Sequence, residues 1–418
     1  MLTPSPHSGS PEAAGRTHAI TRRSFVSGSA RLLGLSAAAL AGVGGGLALA
    51  GCSSEEEEEI QVLEVAEDEV VTLDSFKEYT SAYRHYSVDE LATLNSGTLL
   101  HGSSDDVCAA ICQGEDANPL NGLALLGLSS GSLSKVRSQA VGHDEGFEFL
   151  TASASSDMLV WVESNYLTSE WRVYCASVRE STLSIGDVVQ LDEGDVEYDA
   201  PEVAAVDSTV YWVVQPAEDG SKTSEDSYLK ASAAGASPVV IHTSHGRFCG
   251  GLSVSDGVLT AMPRVDTSGV YYQLTAFQGG TGAIIAEQIM PKSFKPSTAI
   301  YMNGRFAFTI AASYDYGGGI ANVGTYYPLD DGTYLRLTRE PLVAPGLSNG
   351  WLFSKSGSRT VLVDLEGQGY ITVDAPEGTA DYGDYPVAVG EHDRIYVYAS
   401  VTDDDENTQV VVRRIIPK

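Results

Sequence analysis

A short unit recurs along this chain, and the regularity of its spacing constrains the fold more than any other feature. In each copy an apolar run leads into an Asp or Asn turn, and an aromatic or β-branched strand follows. The turn residue falls at Asp106, Asp157, Asp207, Asp256, Asn303, Asn349 and Asp393, at spacings of 51, 50, 49, 47, 46 and 44 residues. Self-similarity at this period signals a repeat architecture. Beyond Ile60 no long segment has helical period. Short Val, Ile, Leu, Tyr and Trp runs bounded by Gly, Asp, Asn and Ser read instead as many short strands. Each unit has room for four strands; in the third they fall at residues 201–206, 209–214, 227–234 and 238–243. A four-stranded sheet that is apolar on both faces cannot bury them alone, so the units must stack, and radial stacking closes them into a ring. Asp207-Ser208, Asp256-Gly257, Asn303-Gly304 and Asn349-Gly350 supply the positive-φ positions that tight hairpins require.

The seventh unit holds only three strands, the third at 409–416, and a fourth is available from residues 60–65 or 70–73. Pairing strands from both ends of the domain removes a free sheet edge. The expectation is an all-β, seven-bladed β-propeller over residues 60–418, closed by an N-terminal strand in the C-terminal blade. In architecture this resembles the WD-repeat and related propellers, although no unit carries their Gly-His and Trp-Asp signature. The competing arrangement, a pair of β-sandwiches, accounts for the strands but not for the even period. Residues 76–98 read as a non-blade insert, in which Ser87-Val88-Asp89-Glu90 has the form of a capping box opening a short helix.

The first 51 residues form a distinct segment. An acid-poor start contains Arg22, Arg23 and Phe25, and an Ala/Gly/Leu stretch with six glycines runs from Leu32 to Gly51. A basic region, an apolar region and a small-residue end read in that order as an export signal. The Arg22-Arg23 pair with Phe25 resembles the twin-arginine (Tat) class of signals, and Leu49-Ala50-Gly51-Cys52 resembles the lipobox of bacterial lipoproteins. The resemblance implies removal of residues 1–51, lipidation of Cys52, and anchorage to the outer face of a cell membrane, at the cell surface or in a periplasm. Ser53, Ser54 and Glu55 to Glu59 would then form an extended acidic linker over residues 52–59.

Charge excludes one class of partner. The chain has 56 acidic and 25 basic residues, a formal charge of -31. Nucleic-acid binding requires clustered Lys and Arg. Residues 1–51 hold four arginines and one glutamate, so the remainder has 21 basic and 55 acidic residues, a charge of -34.

Catalytic and metal motifs are weak. Gly127-Leu128-Ser129-Ser130-Gly131 and Gly346-Leu347-Ser348-Asn349-Gly350 match G-x-S-x-G but lie at hairpins, without the following helix of a nucleophile elbow. His242 and His245 lack third and fourth ligands, and Asp403-Asp404-Asp405-Glu406 lacks the alternation and glycine of a calcium loop. No cofactor is therefore assigned, and Ca²⁺ has no motif behind it. Cys108, Cys112, Cys175 and Cys249 read first as buried small hydrophobes; their disulfide state is left open.

Topology then selects one face. The loops joining each outer strand to the next inner strand, with those joining second to third strands, share a face, and ligands of propellers meet that face or the central channel. Its candidate residues are His143, Asp144, His245, Arg247, Lys295, Tyr314, Tyr316 and Arg339. Tyrosines and carboxylates suit sugar or peptide recognition, and Arg247, Lys295 and Arg339, if clustered, suit an anionic group. The resulting expectation is a monomeric, membrane-anchored binding or scaffold module for protein, peptide or glycan ligands. The alternative is an extracytoplasmic propeller enzyme that cleaves glycans or peptides or uses a metal or quinone.

Overall fold

Several strands are buried on both faces. Thr209–Val214, Val107–Cys112 and Met158–Asn165 are buried at every position, which is possible only where sheets are sandwiched by other sheets. The computed structural model describes residues 60–81, 84–103, 106–113, 122–337 and 343–418. Arg22, Arg23, Phe25 and Cys52 lie outside the described residues, as does Arg339 with its neighbour Glu340.

The third unit illustrates the construction. Val203–Val206, Thr209–Val214, Ser227–Ala233 and Val239–Ser244 pair antiparallel in chain order, within two residues of the expected bounds. Asp207, at its first hairpin, sits at φ 49°, and Asp256, Asn303 and Asn349 take φ of 43°, 49° and 50° at theirs. Only residues tolerant of the left-handed region suit such turns. Neighbouring sheets meet through apolar clusters: Val203 and Trp212 pack on Val160 and Trp171, Tyr211 on Leu259 and Phe277, and Phe308 on Met262 and Leu274. Two more clusters join Leu352 to Ile300 and Phe353 to Ile395. Tyr396 and Val412 finally pack on Leu100 and Leu126, so the circle is complete. The chain folds as an all-β propeller.

The expected blade count is corrected. The described strands form six sheets, not seven, because the first two units merge into a nine-stranded sheet. Leu99–Ser103 leads one half and Glu148–Ala154 the other, and they join where Ser103 pairs in parallel with Ala154.

Closure is also corrected. The outer strand of the last sheet is neither 60–65 nor 70–73 but Tyr86–Asn95, antiparallel to Thr408–Pro417. The expected helix at Ser87 to Glu90 is therefore strand, its capping-box pattern overridden by the antiparallel ladder to Thr408–Pro417. The segment before it runs along the rim. Val62 bridges Ile289, Val70–Thr72 pairs in parallel with Tyr334–Leu337, and Lys77–Glu78 with Gly369–Val373. Three successive outer edges are thus covered. Among the described residues, no helix is long and apolar enough to cross a membrane.

The last sheet departs from the pattern at its inner edge. Tyr385–Pro386 pairs with the strand Ile395–Thr402, but Gly390–Glu391 leaves to pair in parallel with Gly346–Ser348. Glu391 N donates to Ser255 Oγ (3.0 Å), so this segment reaches across the axis to the fourth unit. Gly390 has φ 89°, and a Cβ there would lie 2.6 Å from Ser255 Cβ and 3.0 Å from Ile300 Cδ1. Replacing Gly390→Ala should cost about 2–4 kcal/mol, combining left-handed strain with overpacking. Urea unfolding should show a lower midpoint with an unchanged slope.

Candidate functional site

Five of the residues expected on the loop face, His245, Arg247, Lys295, Tyr314 and Tyr316, gather in one sector. The outer strand Val239–Ser244 ends at fully buried Ser244, whose Oγ accepts from the backbone N of Arg264 (2.8 Å), while His245 N donates to the Arg264 carbonyl (3.1 Å). These bonds bring residues 245–252 against the end of the strand Val258–Ala261. Arg247 then reaches Asp199 (2.7 Å) and donates to the Pro216 carbonyl. His245 Nδ1 lies 3.5 Å from the Asp226 carboxylate.

The next loop adds an aromatic shelf. Lys295 N donates to the Tyr314 hydroxyl (2.9 Å), and the Tyr314 ring stacks on buried Phe294 with centroids 4.2 Å apart. Tyr316 stands 6.0 Å from Phe294 and is 51% exposed. Beneath them the Cys249 thiol donates to the Pro296 carbonyl (2.7 Å), and burial pushes it up to about 12 despite Lys295 nearby. A thiol so far from ionisation is packing, not a nucleophile. Tyr272, paired with Arg264, links the two loops. Burial raises its pKa, and the charges of Arg264 and Arg247 oppose that rise.

His143 and Asp144 occupy a different sector, on the exposed turn His143–Glu145. That turn is held from below by fully buried Glu163, which accepts from Val141 N (2.8 Å), Gly142 N (3.0 Å) and Trp161 Nε1 (3.0 Å). Glu145 pairs with Arg172 (2.6 Å), whose guanidinium lies 4.1 Å over Phe147. A third sector, at the closing seam, holds the buried Arg413–Asp384 pair; Lys355 donates there to the Asp384 carbonyl (3.0 Å) and sits 4.1 Å over Tyr385. Burial raises the Asp384 pKa while Arg413 pulls it down.

The opposite mouth of the ring was not anticipated as a site. The first-hairpin turns converge there, and a cavity of about 200 Å³ is lined by Asp106, Asp157, Asp207, Asp256, Ser255 and His392. A second cavity beside it adds Asn349, Glu391 and Asp393. Six of the seven Asx residues that mark the repeat, all but Asn303, thus line this mouth, and their recurrence was the available signal. Arg264, Tyr272 and Glu163 had no comparable signal, since only tertiary packing gives them neighbours.

The weak motifs stay apart from chemistry. Ser348 is 1% exposed on an inner strand that leads into a hairpin. The Asp403 carboxylate accepts from the backbone N of Asp405 (3.0 Å) and Asn407 (2.8 Å), and those bonds hold its pKa below the usual range. Cys108, Cys112, Cys175 and Cys249 are buried and unpaired. Among the described residues, no three His, Cys, Asp or Glu side chains form a metal-holding group.

No family model and no curated protein matches the sequence. Solved structures with similar backbones include the β-propeller domain of the Trilobed protease from Pyrococcus furiosus (TM-score 0.45, 10% identity, 75% of this chain and 95% of that one). A prolyl endopeptidase (0.47, 12%, 81% and 48%) and an acylaminoacyl peptidase from Pyrococcus horikoshii (0.45, 12%, 81% and 52%) are also similar. The chain spans about half the length of these two peptidases. Overlaps of this size transfer no activity to it.

The role of Glu163 is testable. Glu163→Ala strips three donors, two of them buried, of their acceptor and should cost about 3 kcal/mol. Hydrogen exchange at the Val141 and Gly142 amides should accelerate well beyond the change at distant strands.

Proposed function

We propose that this chain is a Tat-exported lipoprotein whose propeller serves as a monomeric binding or scaffold module for protein, peptide or glycan ligands outside the cytoplasm. The observation that carries the reading is the convergence of Arg247, Lys295, Tyr314 and Tyr316 on one loop face, where cations adjoin an exposed aromatic shelf. Aromatic rings with a few placed polar groups are the usual furniture of a binding recess.

In this reading Arg22, Arg23 and Phe25 direct export, and Cys52 carries the lipid that holds the protein on the outer face of the cell membrane. A surface of charge -34 is repelled by anionic head groups, so two acyl chains and a glutamate linker would hold it close without contact. Cys52→Ala should move the protein from the membrane to the soluble fraction; its persistence on membranes through detergent-free washing refutes the anchor. On glycan and peptide arrays, the intact chain should show saturable binding that Tyr316→Ala abolishes. Absence of any such ligand sinks the binding reading.

The enzyme alternative has its own observation: His392 stands among Asp256, Glu391 and Asp393 at the channel mouth. Such groupings can perform acid–base chemistry, and the peptidase names of the similar structures lean the same way, at overlaps too low to argue from. Turnover of an array component, lost in His392→Gln, would favour it.

A further inference from the structure

We propose that Arg264, with Arg247, Tyr272 and Lys295 around it, forms a carboxylate-binding subsite on the loop face. The proposal deepens the binding reading and rests on it. Its first ground is charge. In a chain with 25 basic and 56 acidic residues, cations are scarce, yet Arg264 and Arg247 both act on Tyr272, and Lys295 acts on Cys249 in the neighbouring loop. Asp199 offsets Arg247. Among the described residues, no carboxylate comes within ion-pair distance of Arg264 or Lys295, although carboxylates are the commonest charged groups of this surface.

The second ground is an unmet hydrogen bond. Arg264 Nε is buried and has no acceptor, as is also true of Nε in Arg336, Arg413 and Arg414, so the hydrogen bonding of this guanidinium within the protein is incomplete. A third ground is the backbone that lies against the guanidinium. Gly246 has φ 119°, and a Cβ there would lie 3.2 Å from both Cδ and Nη1 of Arg264. The guanidinium therefore rests on bare backbone, in a position that a side chain would fill. Tyr272 pairs with Arg264 across the strand extension, and its hydroxyl lies within the field of both arginines.

The ligand class follows from these groups. The two terminal Nη groups of a guanidinium match a carboxylate bidentately, and the Tyr314–Phe294 shelf beside Lys295 offers a flat apolar surface for whatever carries it. A multiply charged phosphate would meet the strongly negative field of the rest of the molecule, so a monoanion is favoured. The subsite therefore takes a single carboxylate borne on a ring or apolar body, such as a uronate sugar or the C-terminal residue of a peptide.

Calorimetric titration of the intact chain with galacturonate and with N-acetylphenylalanine, each against its uncharged amide, tests this at low ionic strength. At least one carboxylate should bind about tenfold tighter than its amide, with inorganic phosphate weaker, and the acid that binds identifies the source as sugar or peptide. Arg264→Gln should erase the advantage. Because Arg264 is partly buried, exposed Lys295→Gln supplies a second variant, which should weaken the carboxylate two- to threefold without altering the thermal midpoint. Equal binding of acid and amide, or no binding of either acid, overturns the subsite, as does phosphate binding more tightly than both. Array ligands that bind Arg264→Gln undiminished would sink the subsite alone and leave the binding module standing.

Discussion

Face-to-face burial of apolar sheets is the interaction on which the rest of this molecule depends. Each sheet exposes two apolar faces, and a stack in a line would leave its end sheets uncovered. Bending the stack into a ring removes those ends, and Tyr396 and Val412 meeting Leu100 and Leu126 is the contact that does so. The N-terminal segment reinforces the closure through backbone hydrogen bonds, since Tyr86–Asn95 completes the sheet built from the other end of the domain. On its way it also covers the outer edges near Ile289, Tyr334 and Gly369, which would otherwise offer unpaired backbone to other chains.

A ring built this way places its polar residues at two mouths. Short Asx hairpins collect at one, where repetition of the same turn concentrates carboxylates around the axis. Longer loops collect at the other, and their lengths and composition differ from unit to unit. That asymmetry lets one face diversify while strand packing stays constant. Buried polar groups fasten the loops to the sheets: Glu163 beneath His143 and Asp144, Ser244 beneath Arg264, and the Asp384–Arg413 pair beside Lys355. Each carries its own hydrogen-bonding demand, so each specifies one loop arrangement over others.

Much of the fold was legible because its signals are local. Strand bounds in the third unit came from runs of β-branched and aromatic residues ending at Gly, Asp or Ser, and the hairpin at Asp207 follows from side-chain tolerance of positive φ. The segment 86–95 was misread for the converse reason: Ser87 to Glu90 satisfies a local helix-start pattern, yet the ladder to Thr408–Pro417 outweighs it. Merging of the first two units was invisible for the same cause. One parallel bridge between Ser103 and Ala154 leaves no mark on either sequence.

The candidate site divides along this line. Loop membership assigned Arg247, Lys295, Tyr314 and Tyr316 to one face, because strand order alone dictates which loops share it. Which of them meet, and that His143 and Asp144 sit apart from them, depended on how far each loop folds over its sheet. Arg264 and Tyr272 enter through contacts between residues distant in the chain, and their importance rests on burial and on an unmet donor. By itself, then, the sequence determined the repeat, the strands and the face on which its varied loops lie, since these follow from periodicity and connectivity. Tertiary structure alone decided the closure strand, the joined sheet and the grouping of charges, since these rest on pairings between different strands and loops that no local pattern encodes.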